Sequence, residues 1–197
     1  MWFSTSMTVA STTIFPCCSR PLGIPHTAAA DAVKELVLQP LSAEAFAPFG
    51  DLIDGDTPCE QYPINEGLTQ RHNALARVDC AAQGGTPALS LFRAQAVTAG
   101  FVLRSMERHP LGSQAFVNTS GHPYAIVVAP PGPLDEEAIQ GFLGTPHQSI
   151  SYHRGTWHHY LLALEAPSDF VVVDRLGPGN NCDEVELRTP LKLVLTP

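Results

Sequence analysis

The 197-residue chain carries 11 basic and 19 acidic side chains, which gives a formal net charge of −8 at pH 7 with histidine neutral. This acidic balance argues against nucleic acid as a partner, because phosphate backbones are bound through excess positive charge. No apolar run approaches the roughly 20 residues of a membrane-spanning helix, so the sequence predicts no membrane partner. The length favours one domain, and the 15 glycines and 18 prolines favour many turns over long helices.

Residues 1–35 differ in composition from the rest of the chain. They are rich in Ser, Thr, Pro and Ala and carry neither the basic start nor the apolar stretch of a signal peptide. This composition predicts a disordered N-terminal extension, or a reading frame whose start is set too early. Residues 36–197 are then expected to form a single domain.

The five cysteines bear on the compartment in which the protein works. Their number is odd, and none shows C-x-x-C spacing. This usage predicts ordinary thiols, with neither a disulfide scaffold nor a thiolate zinc site. It favours a reducing, cytoplasmic location.

The sequence predicts two short helices and a larger number of strands. A strand is expected at 36–38, and a short helix at 42–50 begins with Ser42 as N-cap and is ended by Pro48 and Gly50. A second helix is expected at 135–142, after Pro133 and with acidic residues in its first turn. Further strands are expected at 89–94, 113–118, 124–129, 149–153, 158–164, 170–174 and 191–195. Many short strands bounded by turns predict a mainly β sandwich or barrel.

Two of these strands differ in their hydrophobic pattern. Residues 125–129 are apolar at every position, which predicts a strand that is covered on both faces. Residues 113–117 alternate between polar and apolar, and such a strand could line a cavity.

Histidines cluster toward the C-terminal end of the sequence, where four of the eight lie within residues 147–159. His158 and His159 are adjacent on a predicted strand, where side chains alternate between faces, so only one of them is expected to enter an interior. The alternative is that these are ordinary histidines at the surface and the edge of the core.

A second polar cluster surrounds Glu107 and His109, whose spacing of two places both on one strand face. Together with Gln114 and His158 they could supply nitrogen and oxygen ligands to a catalytic divalent metal. The alternative is a metal-free pocket in which the same residues act as acid, base and hydrogen-bond donors.

Both clusters resemble cupin motifs. Glu107-x-His109-x-x-x-x-Gln114 and His153-x-Gly155-x-x-His158 are similar to H-x-H-x(3,4)-E and P-x-G-x-x-H, with Glu107, Gln114 and His153 at altered positions. The longer strings Glu107-Arg-His-Pro-Leu-Gly-x-Gln-Ala-Phe116 and Tyr152-His-Arg-x-x-Trp-His-His159 resemble the ureidoglycolate lyase family. Shorter matching segments lie at 41–46, 49–51, 64–67, 169–170, 174–175 and 181–183.

The resemblance implies a fold and a reaction. The expected fold is a cupin-type β-barrel, a double-stranded β-helix or jelly roll with a few short helices, assembled as a homodimer. The expected reaction, in allantoin and purine catabolism, splits (S)-ureidoglycolate into glyoxylate and urea. A divalent metal, Ni²⁺ in particular, is implied as a cofactor. The alternatives are an amidohydrolase that releases ammonia and carbon dioxide from the same substrate, and a non-catalytic cupin that binds a small carboxylic acid.

The residues expected to carry this reaction are the polar clusters and a carboxylate-binding arginine. The catalytic set is Glu107, His109 and His158, and with Gln114 these form the expected metal ligands. An arginine suits the substrate carboxylate because its guanidinium binds carboxylates with two hydrogen bonds. The arginine candidates are Arg71, Arg93, Arg108, Arg154 and Arg175, each of which could instead be a solvated surface charge. The expected substrate-binding set is Arg71, Arg93, Gln114, Tyr152, His153, Trp157 and Arg175, in which Tyr152 and Trp157 could instead fill the core.

Overall fold

A computed structural model describes residues 32–98 and 100–195 of the chain. These residues contain one short helix, α1 (Ala43–Phe46), and single turns of 3-10 helix at Asn65–Gly67, Ala82–Gly84 and Glu136–Ala138. The strands are β1 (Lys34–Pro40), β2 (Gly50–Ile53), β3 (Glu60–Ile64), β4 (Thr69–Asn73), β5 (Thr86–Ala94), β6 (Val102–Arg108), β7 (Gln114–Asn118), β8 (Tyr124–Ala129), β9 (Gln140–Gly144), β10 (Ser149–Tyr152), β11 (Trp157–His158), β12 (Leu162–Ala163), β13 (Ser168–Leu176) and β14 (Asp183–Val194).

The strands form a closed barrel and a second sheet packed against it. Six strands pair in the order β11-β6-β14-β1-β9-β8, and β8 pairs back with β11 to close the ring. Strand β12 extends this sheet beyond β8, and a five-stranded sheet has the order β2-β10-β7-β13-β5. Strands β3 and β4 form a separate hairpin. The prediction of a mainly β, cupin-type barrel with few helices is confirmed.

Strand β8 divides the core in two, as its continuous apolar sequence predicted. Tyr124, Ile126 and Val128 on one face join a cluster that includes Phe116 and Phe170 of the five-stranded sheet. The alternate residues, at 125, 127 and 129, join a second cluster with β6 and β14 inside the ring. All six side chains of the strand are buried. A strand between two apolar layers needs apolar residues on both faces, which explains the absence of alternation.

The helix predicted at 135–142 is wrong. Asp135 does cap a turn by accepting a hydrogen bond from the backbone N–H of Glu137, but only Glu136–Ala138 are helical. Residues Gln140–Gly144 form β9 instead, which pairs with both β1 and β8. Phe142 on this strand is fully buried. The pairing of β9 with two neighbours and the burial of its apolar side chains outweigh the local helix signals.

Other predicted elements differ in extent. The helix expected at 42–50 is shorter but does start after Ser42, whose side chain accepts a hydrogen bond from Ala45 N–H. The strand expected at 158–164 is divided into β11 and β12. Besides β9, four strands were not predicted: β2, β3, β4 and β6. Strand β6 carries three charged residues among seven, and this polarity hides it from a hydrophobic pattern.

The N-terminal prediction lies mostly outside the described residues. Positions 1–31 are not described, and β1 already begins at Lys34, two residues before the expected boundary. Among the described cysteines, Cys59 and Cys80 are free thiols, as expected. Cys182 is disulfide-bonded, so the prediction of ordinary thiols is wrong at this residue. In the described part of the chain, no helix has the length and apolar character needed to cross a membrane.

Candidate active site

One wall of the site comes from the barrel strands β6 and β11. These strands are antiparallel neighbours, and Glu107 lies directly opposite His158. His109 follows the last residue of β6, two positions after Glu107, and its ring centroid lies 5.1 Å from that of His158. The alternation of strand side chains brings Glu107 and His109 to one face, as their spacing predicted, and the pairing of β6 with β11 adds His158.

The opposite wall comes from the five-stranded sheet. Gln114 on β7 lies directly opposite Tyr152 on β10. The side chain of Gln114 also donates a hydrogen bond to Asp174 on the other neighbouring strand, β13. The Tyr152 ring stacks on the His158 imidazole, with centroids 4.4 Å apart and planes 10° apart. The site therefore lies between the barrel wall and the five-stranded sheet.

Three buried polar atoms of this site have no hydrogen-bond partner: Nε2 of His109, Nε2 of His158 and Oε1 of Gln114. The three side chains are 6%, 1% and 4% exposed. An unpaired buried polar atom costs about 1–3 kcal/mol, so three in one place are unusual in a folded protein. Their clustering marks a place built to bind something polar.

The other ring nitrogen of each histidine is held by a backbone carbonyl. Nδ1 of His109 donates to the carbonyl oxygen of Asn181 at 2.6 Å, and Nδ1 of His158 donates to that of His159 at 3.1 Å. In a neutral ring this leaves Nε2 with a lone pair. A backbone carbonyl that fixes the tautomer in this way is the usual outer partner of a metal-binding histidine.

His159 is buried as well, on the other side of the chain from the site. It is 3% exposed, and its ring meets Phe101 edge to face with centroids 5.9 Å apart. The expectation that only one of the two histidines enters an interior is therefore wrong, because both sides of this segment are covered. Only His158 faces the candidate site.

Burial sets the protonation states in and around the site. It lowers the pKa of His158 to about 3, helped by the nearby His109, and it lowers the pKa of His159 to about 4. Burial raises the pKa of Glu107, and the carboxylate of Glu184 on the neighbouring strand raises it further, against the opposing effect of His109. Burial also raises the pKa of Asp174, while the hydrogen bond from Gln114 lowers it. His158 is thus neutral near pH 7.

The donors fit a divalent metal ion. Glu107, His109 and His158 each offer one ligand atom, and these atoms lie within 4.8 Å of one another. Two imidazole nitrogens and a carboxylate oxygen are ordinary ligands for a first-row transition metal, and the unpaired amide oxygen of Gln114 could add a fourth donor. The unpaired atoms would gain their missing partner from such an ion.

The other predicted substrate-binding residues do not all lie at this site. Tyr152 does, through its stacking on His158. Trp157 lies on the opposite face of β11, packs in the core inside the ring and donates from Nε1 to the carbonyl of Gly132 at 2.9 Å. His153 is half exposed and contacts Asp51 at 3.2 Å.

The five candidate arginines have partners elsewhere. Arg93 is exposed and forms two hydrogen bonds of 2.7 Å with Asp169, whose carboxylate balances the charge of the guanidinium. Arg175 is 8% exposed and donates to the backbone carbonyls of residues 82 and 178, so it joins two loops. Arg108 pairs with Asp183, Arg154 pairs with Asp79, and Arg71 lies over the half-buried ring of Tyr62 on the β3–β4 hairpin.

The described residues also form a cleft of about 450 Å³. Ser113, His153 and Arg154 are among the residues that line it. None of the four donor residues borders it, and Ser113 and Gln114 point to opposite faces of the chain at the start of β7. The donors are therefore the better candidate for the active site, because unpaired buried polar atoms indicate a ligand and an open cleft by itself does not.

Sequence reasoning gave no individual role to two residues that support the site, Asp174 and Asn181. Asp174 follows Phe170 and Val172 at intervals of two along β13, and both of these are fully buried. An acidic residue at an inward position of a strand is the signal that could have identified it. Asn181 lies in a loop, where no periodicity applies, and its side chain also accepts a hydrogen bond from Leu111 N–H at 2.7 Å.

Comparisons with known proteins agree with this assembly. The family model described as ureidoglycolate lyase matches residues 33–194. A ureidoglycolate lyase of Pseudomonas fluorescens is 46% identical over 169 residues, which cover 84% of this chain and 99% of that protein. One from Burkholderia mallei is 48% identical over 161 residues, 82% of this chain and 94% of its own. One from Pseudomonas syringae pv. syringae is 46% identical over 166 residues, which cover 84% of this chain and 97% of that protein.

Proposed function

The chain belongs to the ureidoglycolate lyase family, and from this premise we propose that it splits (S)-ureidoglycolate into glyoxylate and urea in allantoin catabolism. The observation that supports a reaction at the assigned site is the group of unpaired, buried nitrogen and oxygen atoms on His109, Gln114 and His158. All three atoms are shielded from bulk water.

The reaction needs one proton to move. The hydroxyl of ureidoglycolate loses its proton as the carbon–oxygen double bond of glyoxylate forms, the carbon–nitrogen bond breaks, and the urea nitrogen takes up a proton. No other reactant is required. Glu107 suits both transfers, because burial raises the pKa of its carboxyl toward the working pH. In this scheme it accepts the hydroxyl proton and returns the same proton to urea.

The histidines have a different role in this scheme. His158 is neutral, so its Nε2 presents a lone pair rather than a proton, and Nε2 of His109 has no partner in the protein while Nδ1 donates to Asn181. With Gln114 and one carboxylate oxygen of Glu107 the two Nε2 atoms would hold a divalent ion, and we propose Ni²⁺; the second Glu107 oxygen is then the one that carries the proton. Such an ion supplies positive charge for the substrate oxygens. Tyr152, stacked on His158, fixes the plane of that ring.

The role of Glu107 is tested by pH–rate profiles. A base that must be ionised gives a rate that falls as pH drops through its pKa. Glu107→Gln should lower turnover by about 10²–10⁴-fold and remove this acidic limb. Glu184→Gln is the matched control: Glu184 lies opposite Glu107 and raises its pKa. Removing that charge should move the limb to lower pH with turnover retained. An acidic limb that stays in place in both variants would refute the assignment.

Product analysis tests the reaction itself. Chelator-treated protein is incubated with racemic ureidoglycolate, with and without Ni²⁺, and glyoxylate, urea and ammonia are quantified together. We expect equal glyoxylate and urea, no ammonia, and a rate that depends on Ni²⁺. Ammonia in place of urea would indicate the amidohydrolase, and no product above the uncatalysed rate would indicate a cupin that only binds a small carboxylic acid.

The carboxylate of ureidoglycolate needs a cationic partner, and the arginines are the candidates for this role. Arg71 is exposed on β4, its guanidinium lies 5.8 Å from the centroid of the Tyr62 ring, and it has no carboxylate partner among the described contacts. We propose Arg71 as the first of them to test. Arg71→Ala should raise KM for ureidoglycolate with little change in kcat, because it removes a binding contact.

We also propose that the protein is a homodimer. Leu89 and Leu91 on the outer face of the edge strand β5 are 77% and 62% exposed, which is unusual for two neighbouring leucines on one sheet face. Leu91→Lys should convert the dimer to a monomer in analytical ultracentrifugation. A wild-type protein that sediments as a monomer would contradict the dimer. The cytoplasmic location stays a prediction from the sequence.

A further inference from the structure

Gln114 could present either end of its amide to the candidate metal. The oxygen is a metal ligand and an acceptor, whereas the NH₂ group can only donate and would repel a cation. In the structure the oxygen is the buried, unpaired atom, and the nitrogen end donates to the carboxylate of Asp174. The orientation of this amide therefore decides whether the site has a fourth donor.

Asp174 fixes that orientation by its chemistry and its position. Val173 lies opposite Ala115 on the neighbouring strand, so Asp174 and Gln114 are the next residues along the same strand pair, and both face inward. An ionised carboxylate can only accept hydrogen bonds, so it pairs with the amide nitrogen and not with the oxygen. Gln114 is 4% exposed, and water does not compete for either end.

We propose that Asp174 is a positioning residue of the metal site, which orients the Gln114 amide so that Oε1 faces His109 and His158. It does so without touching the ion. This inference rests on the proposed divalent ion but not on the reaction, and it concerns binding of the metal alone.

Asp174→Asn is the direct test, because it keeps the size of the side chain. Asparagine both donates and accepts, so it can pair with either end of the Gln114 amide and no longer selects one. We expect Ni²⁺ affinity, measured by isothermal titration calorimetry on chelator-treated protein, to fall by about 10–100-fold, as is typical when the partner of a ligand is lost.

A second test introduces Asp174→Asn into a Gln114→Glu background. It distinguishes an effect of amide orientation on Ni²⁺ affinity from an effect of charge or of a disturbed fold. A carboxylate presents an oxygen whichever way it turns, so Asp174 has no orientation to select there. Asp174→Asn should then cause no loss of Ni²⁺ affinity relative to Gln114→Glu alone. The double variant also has the same number of carboxylates as the wild type, which keeps the charge of the site constant.

The change in Ni²⁺ affinity in the two backgrounds distinguishes the alternatives. A loss of affinity in the wild-type background only supports the orientation role. An equal loss in both backgrounds would mean that Asp174 acts through its charge or through the fold, and no loss in either would mean that the amide is held by other contacts; both overturn the proposal. Absence of Ni²⁺ binding by the wild-type protein would overturn it together with the proposed ion, whereas product formation tests the lyase reaction separately.

Discussion

Acid should destabilise this protein through His159, a buried histidine outside the active site. Folding lowers the pKa of His159 from its ordinary value of 6.5 to about 4, because its ring is buried against Phe101. As pH falls, the unfolded chain therefore binds this proton first. The contribution of His159 to stability is complete above pH 6.5 and is lost progressively between that pH and about 4.

The size of this effect follows from the pKa difference. At about pH 5 the solution is roughly 1.5 units below the pKa of the unfolded state and still above that of the folded state. At about 1.4 kcal/mol per unit, this one histidine should reduce the free energy of unfolding by about 2 kcal/mol between about pH 8 and about pH 5. His158, with a folded pKa of about 3, has the same sign and adds its own loss.

The measurement compares the wild type with His159→Asn in urea unfolding at a series of pH values, with chelator present so that metal binding does not contribute. The asparagine amide can replace Nδ1 in the hydrogen bond to the carbonyl of Tyr160, and it does not titrate. Any packing cost of the substitution changes the free energy of unfolding by the same amount at every pH. This amount is measured at about pH 8, where His159 is deprotonated in both the folded and the unfolded wild type.

We expect the stability of His159→Asn to fall by about 2 kcal/mol less than that of the wild type over this pH range. Turnover of the variant should be retained, because His159 faces away from the site. Parallel stability curves for the two proteins would refute the reasoning, since they would mean that His159 titrates alike in the folded and unfolded states.

Three further predictions concern the site and its scaffold. His158→Ala should lower turnover at least about 100-fold, because the proposed divalent ion loses a ligand, while circular dichroism shows an intact fold; an unchanged rate would exclude His158 from the site. Arg175→Met should lower the free energy of unfolding by about 2–4 kcal/mol in urea, because two loop carbonyls lose a charged donor; a raised KM with unchanged stability would instead support substrate binding. Gly141→Val should cost about 1–3 kcal/mol, since a Cβ there would lie 2.6 Å from the buried Leu38 side chain; a neutral effect would contradict the close approach of β9 to β1.

Part of the active site was predictable because strand geometry is local. The spacing of two between Glu107 and His109 is enough to place both on one face, whatever the rest of the chain does. The continuous apolar run at 125–129 likewise requires cover on both sides of its strand, and β8 has it. These predictions depend only on the backbone of a single segment.

Other features depended on partners distant in sequence. The segment 135–142 carries helix signals, yet Phe142 is buried on β9 because two strands, one of them about 100 residues away, pair with it. Arg175 resembled a substrate ligand in the sequence, and its actual partners are the carbonyls of Ala82 and Pro178. No local pattern contains this information.

The sequence by itself determined the mainly β class, the two-sided burial of β8 and the pairing of Glu107 with His109 on one face. Only the tertiary structure decided that His158 lies opposite Glu107, that Gln114 and Asp174 meet across two strands, and that each site histidine keeps one unpaired nitrogen. The physical reason is that alternation along a strand is fixed by the backbone of each residue, whereas the partner of a side chain is chosen by which strands pair and in which register.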